Sequence, residues 1–234
     1  MKVAIITTHA QESGPILRDA LRNNGVHCDF FDLKKVDRTD YREYDSVFSY
    51  GTSCGTHHKH RFNSSVSVRN CADKTRTFDL LREAGCSTVP YVLRKQNIPK
   101  EWEWVVIRQS IGGRKAEGLD YAENIPGNIP NGELFTEYFE HKYEYRITVF
   151  NGQVVGRYFK REEQGDWYFE VQPKRGFEIM DDHCIRASKA LGIDYVGFDV
   201  VANTKKDFRI LEGNSAARLT DEAENAIVEY YINL

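Results

Sequence analysis

Short apolar runs at 3–7, 26–32 and 46–50 read as buried strands, each too brief to be a helix. Between the first two, Gly14-Pro15 opens a helix that puts Ile16, Leu17, Ala20 and Leu21 on one face and closes at Asn24-Gly25. Strands alternating with a helical segment predict a small parallel α/β unit, whose ligand side lies at the C-terminal ends of its strands. From 51 to 70 the chain is polar, rich in Ser, Thr, His and Gly, and without apolar periodicity, so this stretch is expected to be a linker or a functional loop. Asp73 then caps a helix with Phe78, Leu81 and Ala84 turned inward, Gly85 at its C-terminus and Pro90 shortly beyond. A strand at 104–108, a glycine-rich stretch from Gly112 to Gly118 and a Pro/Gly/Asn-rich connector at 124–132 follow.

The second half carries an antiparallel signature. Apolar segments at 145–150 and 154–159 flank Asn151-Gly152, the strongest short-range hairpin signal a sequence offers. A helix near 182–191 ends at Gly192, strands follow at 195–201 and 208–211, and a last helix begins at about 221. The fold class is α/β (α+β), with no internal repeat.

Composition narrows the picture. A chain of 234 residues corresponds to one large or two small domains. With 32 Lys+Arg against 35 Asp+Glu it has a net charge of −3, which gives no global basic footprint for nucleic acid. The apolar run at 3–6 is far shorter than the roughly 7–15 residues of a signal-peptide core, and the expectation is a soluble, unexported, cytoplasmic protein with no membrane partner. Cys28, Cys54, Cys71, Cys86 and Cys184 are spread without a C-x-x-C pair, as expected of reduced thiols.

The candidate chemistry gathers near the C-terminus. In the strand at 195–201, Val196, Phe198 and Val200 share one face and Asp199 lies on the other. If the next strand stays extended to Asn214, Glu212 and Asn214 share a face, and Gly213 between them permits close approach. The short turn Asn203-Thr204-Lys205-Lys206 makes the two strands an antiparallel pair. Asp199, Glu212 and Asn214 can then converge as hard oxygen donors of the kind Mg²⁺ prefers, although two acids and an Asn on neighbouring strands also fit an ordinary solvated pair. Arg146, Arg157, Lys160 and Arg161 crowd the Asn151-Gly152 hairpin, a cationic set suited to phosphate or carboxylate, or else rim charges partnered by Glu162, Glu163 and Asp166.

Asp199 in Gly-Phe-Asp-Val-Val, followed by Leu-Glu212-Gly-Asn214-Ser, resembles the metal-binding end of ATP-grasp enzymes, particularly the carboxylate–amine ligases. Other pieces follow in that family's order over about two-thirds of the chain. Asp73-Lys74 and its helix look like the segment whose lysine reaches ATP phosphates. The strand ending at Arg108 and the loop with Gly112, Gly113 and Gly118 look like the strand and flap over the triphosphate. Phe135-Thr136-Glu137-Tyr138-Phe139 is similar to the hinge that meets adenine, and Glu144-Tyr145-Arg146 to the acidic and arginine pair after it. One departure is that the family's second phosphate lysine falls at Arg108, which keeps the charge but offers a planar fork.

The resemblance implies an ATP-grasp fold with a small parallel pre-ATP-grasp domain at 1–70, a central subdomain at 71–134 and a C-terminal subdomain at 135–234. It implies ATP-dependent formation of an amide or peptide bond through an acyl phosphate. The cofactors would be ATP and Mg²⁺, or Mn²⁺ in its place. The metal ligands would be Asp199, Glu212 and Asn214, and the catalytic cations Arg146 and Arg161. Nucleotide contacts would come from Lys74, Arg108, the flap glycines, Glu137, Tyr138, Phe139 and Glu144. Small-molecule or peptide carboxylates and amines would be the substrates, and a homodimer is compatible. A kinase of a small metabolite on the same fold and a nucleotide-binding module without catalysis remain alternatives.

Two other signals point elsewhere. Gly51-Thr-Ser53-Cys-Gly55 matches G-x-S-x-G after a strand, but Thr56-His57-His58-Lys59-His60-Arg61 shows no helix of the sort a nucleophile elbow needs. His57, His58 and His60 lack the spacing of a zinc helix, and a solvated or anion-binding loop is the expectation.

Overall fold

The computed structural model describes the chain except residues 9–11, 36–39, 55–57, 112–118, 126 and 164–165. Strand β1 (Lys2–Thr7) is buried along nearly its whole length, as a central strand covered on both faces must be. It pairs in parallel with β2 (His27–Asp32) and β3 (Ser46–Tyr50), and β4 (Arg61–Phe62) adds to β3, giving the order β2-β1-β3-β4. Helix α1 (Ser13–Asn23) packs Leu17 and Leu21 against this sheet. Ile16, expected on the buried face, is 49% exposed, because the inward stripe is centred on Gly14, Leu17 and Leu21 and position 16 is turned about 100° from 17.

The expectation of a loop or linker over 51–70 is corrected. Its second half forms β4 and helix α2 (Ser65–Ala72), with the Ser64 side chain accepting from the Ser67 backbone N–H. The buried side of α2 is only Ser67, Val68 and Cys71, and Val66 faces out, so no apolar period marks it. Helix α3 (Lys74–Glu83) follows at once, Asp73 capping the Arg76 N–H at 3.0 Å and Phe78 and Leu81 buried.

A second sheet, antiparallel in the order β5-β8-β6-β7, contains β5 (Tyr91–Val92), β6 (Trp104–Arg108), β7 (Leu119–Glu123) and β8 (Leu134–Glu137). Val105 and Ile107 join Trp102, Ile129 and Phe135 in a core on one side. The period of two therefore sends Val106 and Arg108 to the other side.

The third sheet, also antiparallel, runs β11-β10-β9-β12-β13, from β9 (Tyr143–Phe150), β10 (Gln153–Glu163), β11 (Asp166–Val171), β12 (Tyr195–Ala202) and β13 (Phe208–Asn214). Asn151 (φ 46°) and Gly152 (φ 74°) make the β9–β10 turn, both in the left-handed region that a two-residue hairpin of this type requires. Helix α4 (Glu178–Leu191) covers one face, packing Met180, Cys184, Ala187 and Leu191 on Ile147, Val149, Val196 and Phe198. It starts at Glu178 rather than near 182, its first turn reading as polar apart from the exposed Ile179 and buried Met180. Helix α5 (Asp221–Ile232) brings Ala223, Ile227 and Tyr231 into one core with Val3, Ile5, Phe48, Phe150 and Tyr195, so the end of the chain is packed into the N-terminal sheet. Among the described residues no helix is long and apolar enough to cross a membrane.

Candidate active site

The face of the third sheet opposite α4 carries the charged residues, and strand register assembles them. Tyr158 lies beside Arg146, Arg146 beside Asp199, and Asp199 beside Glu212, one row across β10, β9, β12 and β13. The adjoining row is Gly156, Thr148, Gly197 and Asn214. On the other side of the first row Lys160 lies beside Glu144. The residues expected to form a metal site, Asp199, Glu212 and Asn214, thus share one patch. The Asn214 amide N–H₂ donates to Glu212 Oε1 at 3.0 Å and to Asp199 Oδ2 at 3.4 Å.

Each carboxylate is met by a cation. Arg146 forks onto Asp199, Nε to Oδ1 at 2.6 Å and Nη2 to Oδ2 at 3.1 Å, the bidentate geometry that guanidinium favours. Burial opposes the Arg146 charge, but Asp199 and Glu212 outweigh it and raise its pKa. Lys160 Nζ sits 3.5 Å from Asp199 and 3.4 Å from Glu144, and 4.7 Å over the Trp167 ring. Lys74, the first residue of α3 and nearly buried, pairs with Glu212 Oε2. Burial alone would push the Glu212 carboxyl up; the Lys74 ammonium reverses this and holds it well below the usual carboxylate range.

Arg108 approaches from the second sheet. Its Nε is buried with no hydrogen-bond partner among the described residues, and burial lowers its pKa against the pull of Glu212. A buried donor of this kind, within electrostatic reach of Glu212, is suited to an anionic guest. Glu137 ends β8, and the Tyr138 N–H donates to Trp104 O at 3.0 Å, fixing the segment between the sheets. Phe139 packs beneath Arg209, whose guanidinium is 4.6 Å from the ring centre. His141 joins the Phe139 carbonyl at 2.8 Å to Glu144 at 3.3 Å; its pKa is raised by the Glu144 contact, and that of Glu144 is lowered by His141 against burial.

Gly112, Gly113 and Gly118 lie outside the described residues, as does His57. The strands on either side of 112–118 pair with each other, Arg108 beside Leu119, and the Ile111 carbonyl accepts from the Lys74 N–H at 3.5 Å. Ile111, the last described residue before 112–118, therefore lies at the start of α3.

Arg161 is not brought to this site. Cross-strand partners share a face, so the face holding Arg146 takes Tyr158 and Lys160 from β10, whereas Arg157 and Arg161 point to the α4 side. Arg157 binds Asp181 of α4, and Arg161 is half exposed beside Glu163. The cationic set that looked like a single patch in the sequence divides by parity, and Lys160, named in that set but given no site role, is the member that lies with Arg146 on the site face. Counting along β10 from Tyr158, opposite Arg146, would have found it. Among the described residues the first helix after Ser53 is α2, beginning at Ser65. His58 is turned onto the Tyr44 carbonyl at 2.8 Å, and among the described residues no three His, Cys, Asp or Glu side chains cluster as metal ligands.

Behind Asn214 the chain is tied down by tyrosines and by the N-terminal sheet. Tyr50 and Tyr195 hydroxyls both donate to Ala217 O, Gly51 N–H donates to Ser215 O, and the Tyr158 hydroxyl donates to Glu222 and meets the Thr220 hydroxyl at 2.6 Å. Gly197 makes room for this packing: a Cβ there would lie 2.7 Å from the Ala217 Cβ and 2.9 Å from Arg146 Cδ. Gly197→Ala is expected to cost about 1–3 kcal/mol of stability by overpacking. It should also push Arg146 off Asp199. Urea unfolding together with a crystal structure of the variant checks both.

These three sheets, with the charged patch between the second and third, define the ATP-grasp fold. Among solved structures that share it, the ATP-grasp ligase PsnB complexed with a minimal precursor superposes with a TM-score of 0.75 at 16% identity, covering 99% of this chain and 98% of that one. The macrocyclase MdnC bound with the precursor peptide MdnA from Microcystis aeruginosa MRC gives 0.74 at 14% identity, with 100% of both chains covered. D-alanine–D-alanine ligase from Bacillus anthracis complexed with ATP gives 0.65 at 15% identity, over 97% of this chain and 92% of that one. No family model matches the chain, and no curated protein matches it by sequence.

Proposed function

We propose that the protein is an ATP-dependent carboxylate–amine ligase acting on a peptide substrate. The observation that carries this reading is the convergence of Asp199, Glu212 and Asn214 on one sheet face, ringed by Lys74, Arg108, Arg146 and Lys160. That set suits a divalent cation bridged to a polyphosphate: oxygen donors for the metal, fixed cations for the phosphates, and an unfilled donor on Arg108. When bound, Mg·ATP supplies the phosphoryl group that converts a carboxylate into an acyl phosphate, which an amine can attack. Asp199, Glu212 and Asn214 would hold the metal. Arg146, locked by Asp199 and wedged over Gly197, and Lys160 place positive charge where the transferred phosphoryl group gains negative charge. Lys74 and Arg108 bind phosphates from the second sheet and α3, and 135–139 forms the purine side. Their rigidity on strands and a helix start supplies most of the catalysis, by positioning rather than proton transfer.

A peptide as substrate is supported by the structures of PsnB complexed with the precursor peptide PsnA2 and of MdnC bound with the precursor peptide MdnA. It is also supported by this chain's own surface: the site face continues past Lys160 onto Trp167, Phe169 and Val171 of β11, the edge strand of its sheet among the described residues. Free Cys28, Cys71, Cys86 and Cys184, all buried, suit a reducing cytoplasm.

The test is ADP release from Mg·ATP over a panel of peptides carrying carboxylate and amine side chains, with mass spectrometry of the products. The expected result is release that needs both groups, with a product lighter by one water. Release with a hydroxyl acceptor alone would make the protein a kinase, and tight nucleotide binding without turnover on any acceptor would make it a non-catalytic module.

A further inference from the structure

Every oxygen of the two site carboxylates accepts a hydrogen bond from the protein's own nitrogens or faces one as an ion pair. Asp199 Oδ1 takes Arg146 Nε at 2.6 Å with Lys160 at 3.5 Å, and Oδ2 takes Arg146 Nη2 at 3.1 Å and the Asn214 amide at 3.4 Å. Glu212 Oε1 takes the Asn214 amide at 3.0 Å, and Oε2 takes Lys74. Asn214 presents its N–H₂ between the carboxylates, so its donor occupies the side on which a metal needs its oxygen. A divalent cation arriving alone must displace an ammonium in contact with Glu212, separate a bidentate guanidinium from Asp199 and turn the Asn214 amide over. Each of those groups then loses a partner in a site only partly open to water, where an unpaired charge is costly.

We propose that Lys74 is a resident counter-ion that closes the metal site to free divalent cations. The site then opens only when a polyphosphate brings acceptors that take over Lys74 and Arg146 as the metal takes over the carboxylates. Metal and nucleotide are thereby coupled through Lys74, so neither loads productively without the other. Lys74 acts here through Glu212 as a positioning residue at the start of α3. The inference rests on the ligase reading for the guest, a metal–nucleotide pair, and deepens it.

The test is Mn²⁺ binding to nucleotide-free protein, read as loss of the free-ion electron paramagnetic resonance signal. The panel is wild type, Lys74→Met, Lys74→Gln and Lys74→Arg, with folding checked by circular dichroism. The neutral variants are expected to bind Mn²⁺ at least about tenfold more tightly than wild type, since a full charge at contact distance is removed. Lys74→Arg should stay weak. The gain should vanish when Glu212→Gln is added to Lys74→Met, which locates it at this site. Neutral variants no tighter than wild type, or a gain that survives Glu212→Gln, would overturn the proposal. So would wild type binding Mn²⁺ alone with Kd on the order of 10 μM or below, the range of a dedicated oxygen site, and this arm needs no variant to fold. The ligase reading fails separately, by absence of ADP release with every acceptor, an assay that does not depend on metal affinity in the nucleotide-free state.

Discussion

On the proposed ligase reading, with Glu212 holding the metal, Glu212→Gln is expected to lower the rate of ADP release by about a thousandfold, the equivalent of about 4 kcal/mol of transition-state stabilisation. The amide keeps the size of the carboxyl and an acceptor for Lys74 or Asn214, so the change is one of charge more than of packing. Glu212 is held ionised by Lys74 despite its burial, which is the state the proposed metal-ligand role requires. A second consequence concerns acid stability. A carboxyl that titrates below its ordinary 4.5 in the folded protein contributes stability that is complete above that pH and is lost as pH falls through the folded value. Removing the carboxyl removes that slope, so the variant's stability should vary less with pH on the acid side than that of the wild type. ADP release by Glu212→Gln within a few-fold of wild type would remove this patch from the chemistry, whatever the fold implies.

The hairpin at Asn151-Gly152 and the pair β12–β13 were legible in the sequence because each rests on a local rule. One is a turn that demands positive φ at two successive residues, and the other is an alternation that puts Asp199, Glu212 and Asn214 on one face. Alternation fails to reveal its own interruptions: register shifts between Val154 and Gly156 and between Asp199 and Val200 leave no mark in the hydrophobic pattern. Lys160 and Arg161 show the cost, since adjacent cations on one strand face opposite sides and only pairing to Arg146 tells which side holds the site. Helix α2 was hidden for another reason, a buried stripe of Ser67, Val68 and Cys71 too weakly apolar to stand out. The union of the N-terminal sheet with α5 was equally hidden, being a contact between residues at opposite ends of the chain, such as Ser46 and Tyr231 at 3.1 Å. What the sequence carried best was the ordered series of short polar motifs. What it carried least was how buried charges divide between binding a guest and binding each other.

Arg157 and Asp181 belong to the second kind, and Asp181→Ala is expected to destabilise the protein more than any surface change. Arg157 Nε lies 2.9 and 3.0 Å from the two Asp181 oxygens and Nη2 2.6 Å from Oδ2, with side chains only 12% and 9% exposed. Among the described residues this is the one ion pair between β10 and α4, on the sheet face away from the candidate site. Removing one partner strands a buried guanidinium, at a cost of about 3–5 kcal/mol. In a chain of this size that lowers Tm by roughly 6–20 °C, at about 2–4 °C per kcal/mol. Replacing both, Arg157→Met with Asp181→Leu, should recover most of the loss, because an apolar pair of similar volume carries no desolvation penalty. ADP release per folded molecule should be unchanged in the double variant, since neither side chain reaches the Arg146 face. Thermal melts of the two single variants and the double variant give the coupling energy directly. Single losses that simply add, with no recovery in the double variant, would mean that apolar packing of Met180, Cys184 and Ala187 holds α4 on the sheet and the ion pair contributes little.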